Sequence, residues 1–213
     1  MWLADLAAVA DDVLALLCRE ERARAARFAR DRDRVLWGRA HGVLRQLLGR
    51  YLAHDPAALR FASGAHGKPA LLDVASAAGR QDTADRPASL FFNLSHSANL
   101  AVYALSANGE VGVDVEVARR PIDELALAAR ALGPAETERL ALLEPASRTR
   151  EFRRAWARHE AVLKYRGTGI GGAGEDTHAA APWIAELDVG ERAAAAVAAA
   201  SQPLELRCWS WQA

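Results

Sequence analysis

The chain has 213 residues and a mass of 22.9 kDa, enough for one large domain or two small packed ones around an apolar core. Its 27 basic and 27 acidic residues cancel, which argues against a general binder of nucleic acid or other polyanions. No stretch predicts a membrane span or a signal peptide. The two cysteines, Cys18 and Cys208, lie far apart, so we expect no disulfide framework and a reducing, cytoplasmic environment.

Hydrophobic periodicity predicts both strands and helices along the chain, with no short repeat, and therefore an α+β fold. The apolar spacing of residues 34–51 is that of a helix, and Asn108-Gly109 between two apolar runs is typical of a β-hairpin. Residues 73–88 have the composition of a loop. In chain order, the predicted strands are residues 1–4, 59–63, 90–94, 100–105, 111–117, 183–189 and 204–211, and the predicted helices are residues 11–28, 34–51, 122–132, 134–144 and 147–166.

Lysine is rare in this chain, because 25 of the 27 basic residues are arginines and the other two are Lys68 and Lys164. Lysine carries a compact point charge, whereas the arginine guanidinium is a planar fork, so a retained lysine suggests a site that needs an ammonium group. Drift within an arginine-biased composition is the alternative. Arginines are densest between Arg19 and Arg50, a pattern consistent with either a solvated helix surface or a phosphate-binding face.

Strict alternation in Val111–Val117 predicts a strand with four valines on one face and Gly112, Asp114 and Glu116 on the other. Carboxylates two residues apart on one face lie about 6–7 Å apart at their Cα atoms, so both can reach one hard cation. The glycine would leave room for a ligand against the backbone. The alternative is an edge strand with a wet polar face.

The predicted helix at residues 147–166 places Glu160 and Lys164 on one face, because they are four residues apart. This pair can supply a third carboxylate for the cation and an ammonium group for a phosphate oxygen, or it can be an ordinary helical ion pair. His159 falls along the apolar stripe of the helix. We expect it to be packed and hydrogen-bonded rather than a ligand.

The predicted strand at residues 90–94 runs into a Ser-His-Ser sequence. Asn93, Ser95 and His96 offer neutral and titratable hydrogen-bonding groups at a sheet edge, and a turn stabilised by serine and asparagine is the alternative. Adjacent residues of an extended chain point apart, and the sequence has no nucleophile elbow, so we do not expect a serine hydrolase.

Four motifs follow one another in the order Gly67-Lys68-Pro69, Phe92-Asn93-Leu94-Ser95-His96-Ser97, Gly112-Val113-Asp114-Val115-Glu116 and Trp156-x-x-x-Glu160-Ala161-x-x-Lys164. Through them the chain resembles the 4′-phosphopantetheinyl transferases of the surfactin-synthetase-activating type. The resemblance extends from about residue 19 to about residue 169, and its last two motifs are the most specific. It implies an α+β pseudodimer of two similar lobes, residues 1–106 and 107–213, in a monomer that binds coenzyme A and Mg²⁺ between them.

By position, the resemblance implies that Asp114, Glu116 and Glu160 bind Mg²⁺ together with the diphosphate of coenzyme A. It also implies that Glu160 is the base for the attacking hydroxyl and that Lys164 acts on the leaving phosphate. The residues it implies for coenzyme A are Arg24 and Arg34 at the 3′-phosphate, Gly67, Lys68 and Pro69 near a phosphate or the adenine, Ser95 and His96 at the 3′-phosphate and diphosphate, and Asn93 in the turn beside them. His159 departs from the family, which often has lysine there.

The resemblance implies transfer of the 4′-phosphopantetheine arm of coenzyme A to a serine of an apo acyl or peptidyl carrier protein, with release of adenosine 3′,5′-bisphosphate. The expected partners are coenzyme A and the carrier, without nucleic acid or a membrane. Two alternatives are a non-catalytic module that binds coenzyme A or a carrier, and a metal-dependent phosphodiesterase. The three carboxylates and Lys164 argue against the first, and the lack of an identifiable water activator argues against the second.

Overall fold

A computed structural model of the chain describes residues 1–63, 67–72, 90–118, 122–168, 180–203 and 205–212. Strands and helices occur throughout these residues, and the predicted α+β class is confirmed. The strands are β1 (Trp2–Asp5), β2 (Phe61–Ser63), β3 (Pro69–Leu71), β4 (Phe91–Ser97), β5 (Leu100–Ser106), β6 (Val111–Val117), β7 (Trp183–Leu187), β8 (Ala193–Ala199) and β9 (Trp209–Ser210). The helices are α1 (Arg19–Ala25), α2 (Asp31–Leu52), α3 (Glu124–Ala131), α4 (Pro134–Ala141) and α5 (Pro145–Arg166), with 3₁₀ turns at Asp11–Leu16 and Pro56–Ala58.

The described strands form two larger sheets and one hairpin. The first sheet has the order β4-β5-β1-β9, in which only the β1–β9 pair is parallel. The second has the order β6-β8-β7 and is antiparallel, and β2 and β3 form a separate antiparallel hairpin. Strand β9 thus returns from the C-terminal end of the chain to the first sheet. The division into lobes at residue 106 and the pseudodimer relation stay predictions.

Helix α2 covers the first sheet because its apolar residues recur on one face. Val43 and Leu47 are fully buried in a core that also contains Phe92 and Tyr103. The Tyr103 hydroxyl donates to the carbonyl oxygen of Ala40 at 3.0 Å, which satisfies the one polar atom of this buried side chain. The predicted helix at residues 34–51 is therefore confirmed, and it begins three residues earlier.

The central strand of the second sheet, β8, consists almost entirely of alanine, which has a high intrinsic helix propensity. Alternate alanines of β8 pack on Ala157 and Ala161 of helix α5. On its other face, Ala195 and Val197 join a core with the valines of β6. Packing on both faces overrides the local propensity. Small side chains on the strand and on the helix also let the two elements approach closely.

Gly112 lies where helix α5 crosses β6. A Cβ atom at this position would lie 2.1 Å from the carbonyl oxygen of Ala161 and 2.2 Å from the nitrogen of Tyr165. The space beside Gly112 is therefore filled by the helix backbone, and the expectation that a ligand lies there was wrong. The close approach places Glu160 and Lys164 of α5 against the polar face of β6.

Two predictions about strand ends were also wrong. Strand β4 continues to Ser97, and the chain turns at Ala98, which has a φ of 53°. Asn108 and Gly109 do connect β5 to β6, but those strands lie in different sheets, so the connection is not a hairpin. The reason is that the backbone of β6 does not pair with the backbone of the first sheet. It binds side chains of that sheet instead.

The remaining differences concern short or unusual elements. Strands β3 and β8 were not predicted, and the strand expected at residues 204–211 is limited to β9. The helix expected at residues 11–28 is divided into a 3₁₀ turn and α1. The predicted loop at residues 73–88 lies outside the described residues. Among the helices of the described ranges, none is both long and apolar enough to cross a bilayer.

Gly112→Ala is expected to lower the free energy of unfolding by about 3 kcal/mol or more, because neither backbone atom that the new Cβ meets can rotate away. Urea denaturation followed by circular dichroism measures this loss. Gly38→Ala is the control, since its Cβ would meet only the ends of the Leu14 and Leu17 side chains, at 2.7 and 3.5 Å. Equal losses in the two variants would contradict the close approach of α5.

Candidate active site

Three backbone N–H groups of β6 donate to side-chain oxygens of β4, forming what we call the β4–β6 side-chain ladder. Its pairs are Val113 with Asn93 at 2.8 Å, Val115 with Ser95 at 3.3 Å and Val117 with Ser97 at 3.2 Å. The three polar side chains are buried. Asn93 therefore joins the two sheets, and the turn assigned to it was wrong. The ladder fixes the carboxylates of β6 relative to the first sheet.

Asp114 lies at the centre of a buried polar cluster. Its Oδ1 accepts hydrogen bonds from Ser95 Oγ at 2.8 Å and from Lys164 Nζ at 2.5 Å. Lys164 also donates to Ser95 Oγ at 3.0 Å. The ammonium group balances the charge of a carboxylate that is only 5% exposed, and it ties helix α5 to both strands.

Glu160 brings a second carboxylate to this cluster. Burial, together with the negative charge of Asp114, raises the pKa of the Glu160 carboxyl above its ordinary value, although Lys164 opposes the shift. Within the described residues, Glu160 Oε1 and Asp114 Oδ2 are buried without a hydrogen-bond partner. Burying such oxygens unpaired is costly, so the cluster is suited to receive a cation or a proton.

Glu116 shares the polar face of β6 with Asp114, as the alternation predicts. Ser97 Oγ donates to Glu116 Oε2 at 3.4 Å. In the part of the chain that the structure describes, no three histidine, cysteine, aspartate or glutamate side chains are arranged as a ready metal site. The geometry brings together Asp114, Glu160 and Lys164, and a centre of three carboxylates stays a prediction.

A cleft of about 1180 Å³ lies beside this cluster. Its volume exceeds the roughly 300–1,000 Å³ of ordinary small-molecule pockets, so it can take a large ligand. Ser95, Asp114 and Glu116 are not among the described residues that line it, although Ser95 and Asp114 both bind Lys164, which does. Arg34 is likewise not among these lining residues and pairs with Asp31 at 2.9 Å. The predicted site residues that line the cleft are Arg24, Gly67, Lys68, Pro69, Asn93, His96, Glu160 and Lys164.

A buried ion pair forms another part of the cleft wall. Arg45 of α2 is fully buried, its Nε donates to Glu21 Oε2 at 2.7 Å, and its Nη1 donates to two backbone carbonyls. His41 Nδ1 lies 3.7 Å from Glu21 Oε1. Burial raises the pKa of Glu21, but the adjacent His41 ring and hydrogen bonds from the Cys18 N–H and Arg45 outweigh it and lower the pKa to about 2.

The Trp37 ring packs against two side chains of this wall, those of His41 and Arg24. Its ring stacks on His41 with 3.8 Å between centroids, and the Arg24 guanidinium carbon lies 5.6 Å from the Trp37 centroid. Burial lowers the pKa of His41, so its ring is neutral at pH 7. Arg24 was predicted from the sequence, whereas Trp37, His41 and Arg45 were not. The four-residue spacing of Trp37, His41 and Arg45 on one face of α2 was the available signal.

Comparison with known proteins identifies the family. The 4′-phosphopantetheinyl transferase superfamily matches residues 110–210, which contain Asp114, Glu116, Glu160 and Lys164. The matched segment, residues 110–210, therefore belongs to the 4′-phosphopantetheinyl transferase superfamily.

Curated proteins of this superfamily resemble the chain over much of its length. A putative 4′-phosphopantetheinyl transferase of Synechocystis is 37% identical over 158 residues, 74% of this chain and 60% of its own. The 4′-phosphopantetheinyl transferase HetI of Nostoc is 37% identical over 159 residues, 75% of this chain and 63% of its own. The 4′-phosphopantetheinyl transferase AcpT of Salmonella typhimurium is 36% identical over 123 residues, 58% of this chain and 56% of its own. The chain thus spans about three fifths of the length of the first two relatives.

The superfamily segment contains the acidic cluster but only part of the cleft. Helices α1 and α2, which supply Arg24, Trp37 and Arg45, precede it, as does the β2–β3 hairpin. His159 lies within the segment and is half-buried, with its ring centroid 6.1 Å from that of Trp156. Burial lowers the pKa of His159, so this position carries a neutral side chain at pH 7.

Glu160→Gln is expected to raise the free energy of unfolding at pH 7 in metal-free buffer. A raised pKa means that the folded protein binds the Glu160 proton more tightly than the unfolded chain does. Ionisation of Glu160 at pH values above this raised pKa therefore costs stability. The cost disappears as the pH falls from the raised pKa towards 4.5, the ordinary value. Urea unfolding between about pH 4 and pH 8 measures the difference between variant and wild type.

The control for this prediction is Glu136→Gln. Hydrogen bonds from Arg139 lower the pKa of Glu136, so its removal is expected to leave stability at pH 7 unchanged or slightly lower. If Glu160→Gln and Glu136→Gln changed the free energy of unfolding in the same direction at pH 7, the destabilising effect of ionised Glu160 would be contradicted.

Proposed function

We propose that this chain transfers the 4′-phosphopantetheine arm of coenzyme A to a serine hydroxyl of an apo acyl or peptidyl carrier protein and releases adenosine 3′,5′-bisphosphate. The observation that carries the proposal is the convergence of Asp114, Glu160 and Lys164 beside a large cleft with cationic walls. The superfamily match and the names of the curated relatives support the same class of reaction.

The cleft supports coenzyme A as the donor because its cations suit the phosphates. Arg24 and Arg60 line it together with Lys164, and a guanidinium fork binds phosphate oxygens well. We assign Arg24 to the 3′-phosphate, the Gly67–Pro69 wall to the adenine side and Lys164 to the diphosphate. This order places the reacting phosphate beside the buried carboxylates.

The donor set at the end of the cleft fits Mg²⁺. Asp114 Oδ2 and Glu160 Oε1 are buried carboxylate oxygens without a protein partner among the described residues, and Mg²⁺ prefers hard oxygen ligands. We propose that these two residues hold the ion, with Glu116 as the third ligand. When bound, Mg²⁺ would stabilise negative charge on the diphosphate.

Glu160 and Lys164 are proposed to have different parts in moving protons, one at the attacking hydroxyl and one at the leaving phosphate. Glu160 is proposed to accept the proton of the carrier serine as its oxygen bonds to the phosphorus that bears the pantetheine arm. A carboxylate has two oxygens, so one can hold the ion while the other accepts the proton. Lys164 donates to the phosphate oxygen of the departing adenosine bisphosphate as the old P–O bond breaks. Asp114 and Ser95 hold the ammonium group of Lys164 in place.

We also propose the two-lobed, monomeric, surfactin-synthetase-activating subtype. Glu160 and Lys164 of α5, Arg24 of α1 and Lys68 beside β3 come from one chain and line one cleft. Lys164 binds Asp114 of β6 next to it. A single copy therefore supplies both the acidic cluster and the phosphate-binding walls. Sedimentation analysis of the active protein is expected to show a monomer.

Transfer is tested by incubating the chain with coenzyme A, Mg²⁺ and a panel of apo carrier proteins. Intact mass spectrometry is expected to show the addition of one phosphopantetheine to a carrier serine, and EDTA is expected to suppress it. Binding of coenzyme A with no carrier modified would favour the non-catalytic alternative. Cleavage of coenzyme A without a modified carrier would favour the phosphodiesterase. Either result would contradict the proposal.

Asp114→Asn, Glu116→Gln and Glu160→Gln are each expected to lower kcat by about 100-fold or more, the scale at which positioned electrostatic and acid–base groups act. Glu186→Gln is the matched control, because this exposed glutamate of β7 pairs with Arg158 on the same sheet–helix layer. Circular dichroism checks the fold of each variant. Near-normal rates in any two of the three would remove the metal assignment.

Arg24→Ala is expected to raise the KM for coenzyme A about tenfold or more, the scale of a lost charged hydrogen bond. The KM for 3′-dephospho-coenzyme A should change much less, because that donor lacks the phosphate assigned to Arg24. Arg50→Ala, at the exposed C-terminal turn of α2, is the control. Equal effects of Arg24→Ala on the two donors would remove Arg24 from the phosphate site.

A further inference from the structure

The ammonium group of Lys68 joins the β2–β3 hairpin to the beginning of β6. Lys68 Nζ donates to Glu110 Oε2 at 2.5 Å and to the carbonyl oxygen of Val111 at 3.0 Å. The Lys68 side chain is 17% exposed and that of Glu110 is 52% exposed. We call these contacts the Lys68 clasp. It connects segments more than forty residues apart in sequence.

The clasped hairpin forms one wall of the cleft. Gly67, Lys68, Pro69 and Leu72 all line it. On its inner side the hairpin is held by apolar packing, since the ring of Phe61 on β2 meets that of Phe92 on β4 edge-on, with 5.7 Å between centroids. The clasp holds the other side of the hairpin to β6, three residues before Asp114. The distance from this wall to the acidic cluster therefore depends on the clasp.

We propose that Glu110 is a positioning residue for the coenzyme A site. It binds Lys68 and so holds the hairpin wall at a fixed distance from the carboxylates on β6 and α5. Two of the three ammonium N–H groups of Lys68 serve protein acceptors, and Glu110 balances its charge. Lys68 thus acts through the placement of the wall rather than as a direct phosphate ligand. The kinetic consequences rest on the proposed function, whereas the clasp itself does not.

The direction in which one substitution changes the affinity for the donor distinguishes these two roles of Lys68. If Lys68 used its charge on a phosphate of the donor, Glu110 would compete with the donor, and Glu110→Gln would tighten donor binding. If Glu110 positions the wall, the same substitution loosens the wall and weakens donor binding. The two roles therefore predict opposite changes in affinity.

The first measurement uses the protein without ligand. Hydrogen exchange followed by mass spectrometry is expected to show faster exchange at residues 67–72 in Glu110→Gln than in the wild type, with no change in β5. Glu136→Gln, which removes an ion pair between Glu136 and Arg139 on α4, is the matched control and should leave exchange at residues 67–72 unchanged. Unchanged exchange in Glu110→Gln would overturn the clasp.

The second measurement uses coenzyme A with the full chain. Glu110→Gln is expected to raise the KM and the calorimetric Kd for coenzyme A about threefold to fivefold, the scale of a partly exposed ion pair, with kcat within about twofold. The charge-swapped variant Lys68→Glu with Glu110→Lys should recover part of the affinity that Lys68→Met loses. A lower Kd in Glu110→Gln, or a swapped variant weaker than Lys68→Met, would overturn the proposal.

The two proposals fail in different ways. If no carrier is modified by the wild type, the proposed transfer is contradicted, but the exchange experiment still decides whether the clasp holds the hairpin. If transfer proceeds and Glu110→Gln changes neither exchange nor affinity, the clasp is contradicted and the transfer stands.

Discussion

The site depends on hydrogen bonds from the backbone of β6 to the side chains of β4. A backbone ladder would hold the two strands about 4.8 Å apart and merge their sheets. Instead Asn93, Ser95 and Ser97 accept from β6, so the strands remain in separate sheets with an ordered polar seam between them. Ser95 serves both the seam and the site, because its hydroxyl also donates to Asp114. The position of the Asp114 carboxylate thus depends on the hydrogen bonds that join the two sheets.

Helix α5 completes the cluster, and its charges are not balanced. Gly112 admits the helix backbone, and the helix brings one ammonium group and one carboxylate to Asp114. Two carboxylates against Lys164 leave one excess negative charge. Burial first, and then the charge of Asp114, raise the pKa of Glu160 above its ordinary value. A folded protein that keeps such a charge unpaired gives up stability locally. That loss is understandable where a cation or a transferred proton is received during function.

The sequence predicted the parts of the fold and site that follow from local periodicity. Alternation in β6 placed Asp114 and Glu116 on one face, and four-residue spacing placed Glu160 and Lys164 together on a helix. It could not predict that β8, a run of alanines, is a central strand, because that choice is made by packing on both faces. Nor could it predict that Gly112 receives a helix rather than a ligand, since either partner needs a residue without a Cβ. The wall formed by α1 and α2 depends on contacts between distant segments, which local patterns do not specify.

The two lysines both line the cleft and both bind groups at or next to β6. Lys68 binds Glu110 and a carbonyl at the beginning of β6, and Lys164 binds Asp114 and the Ser95 hydroxyl four residues further on. Each ammonium group therefore divides its protons between a carboxylate and a second acceptor that belongs to a different residue. A guanidinium is a larger planar group that spreads its donors over three nitrogens, whereas an ammonium group offers three donors from a single atom. This geometry gives a physical reason why a chain that otherwise uses arginine retains lysine at these two positions.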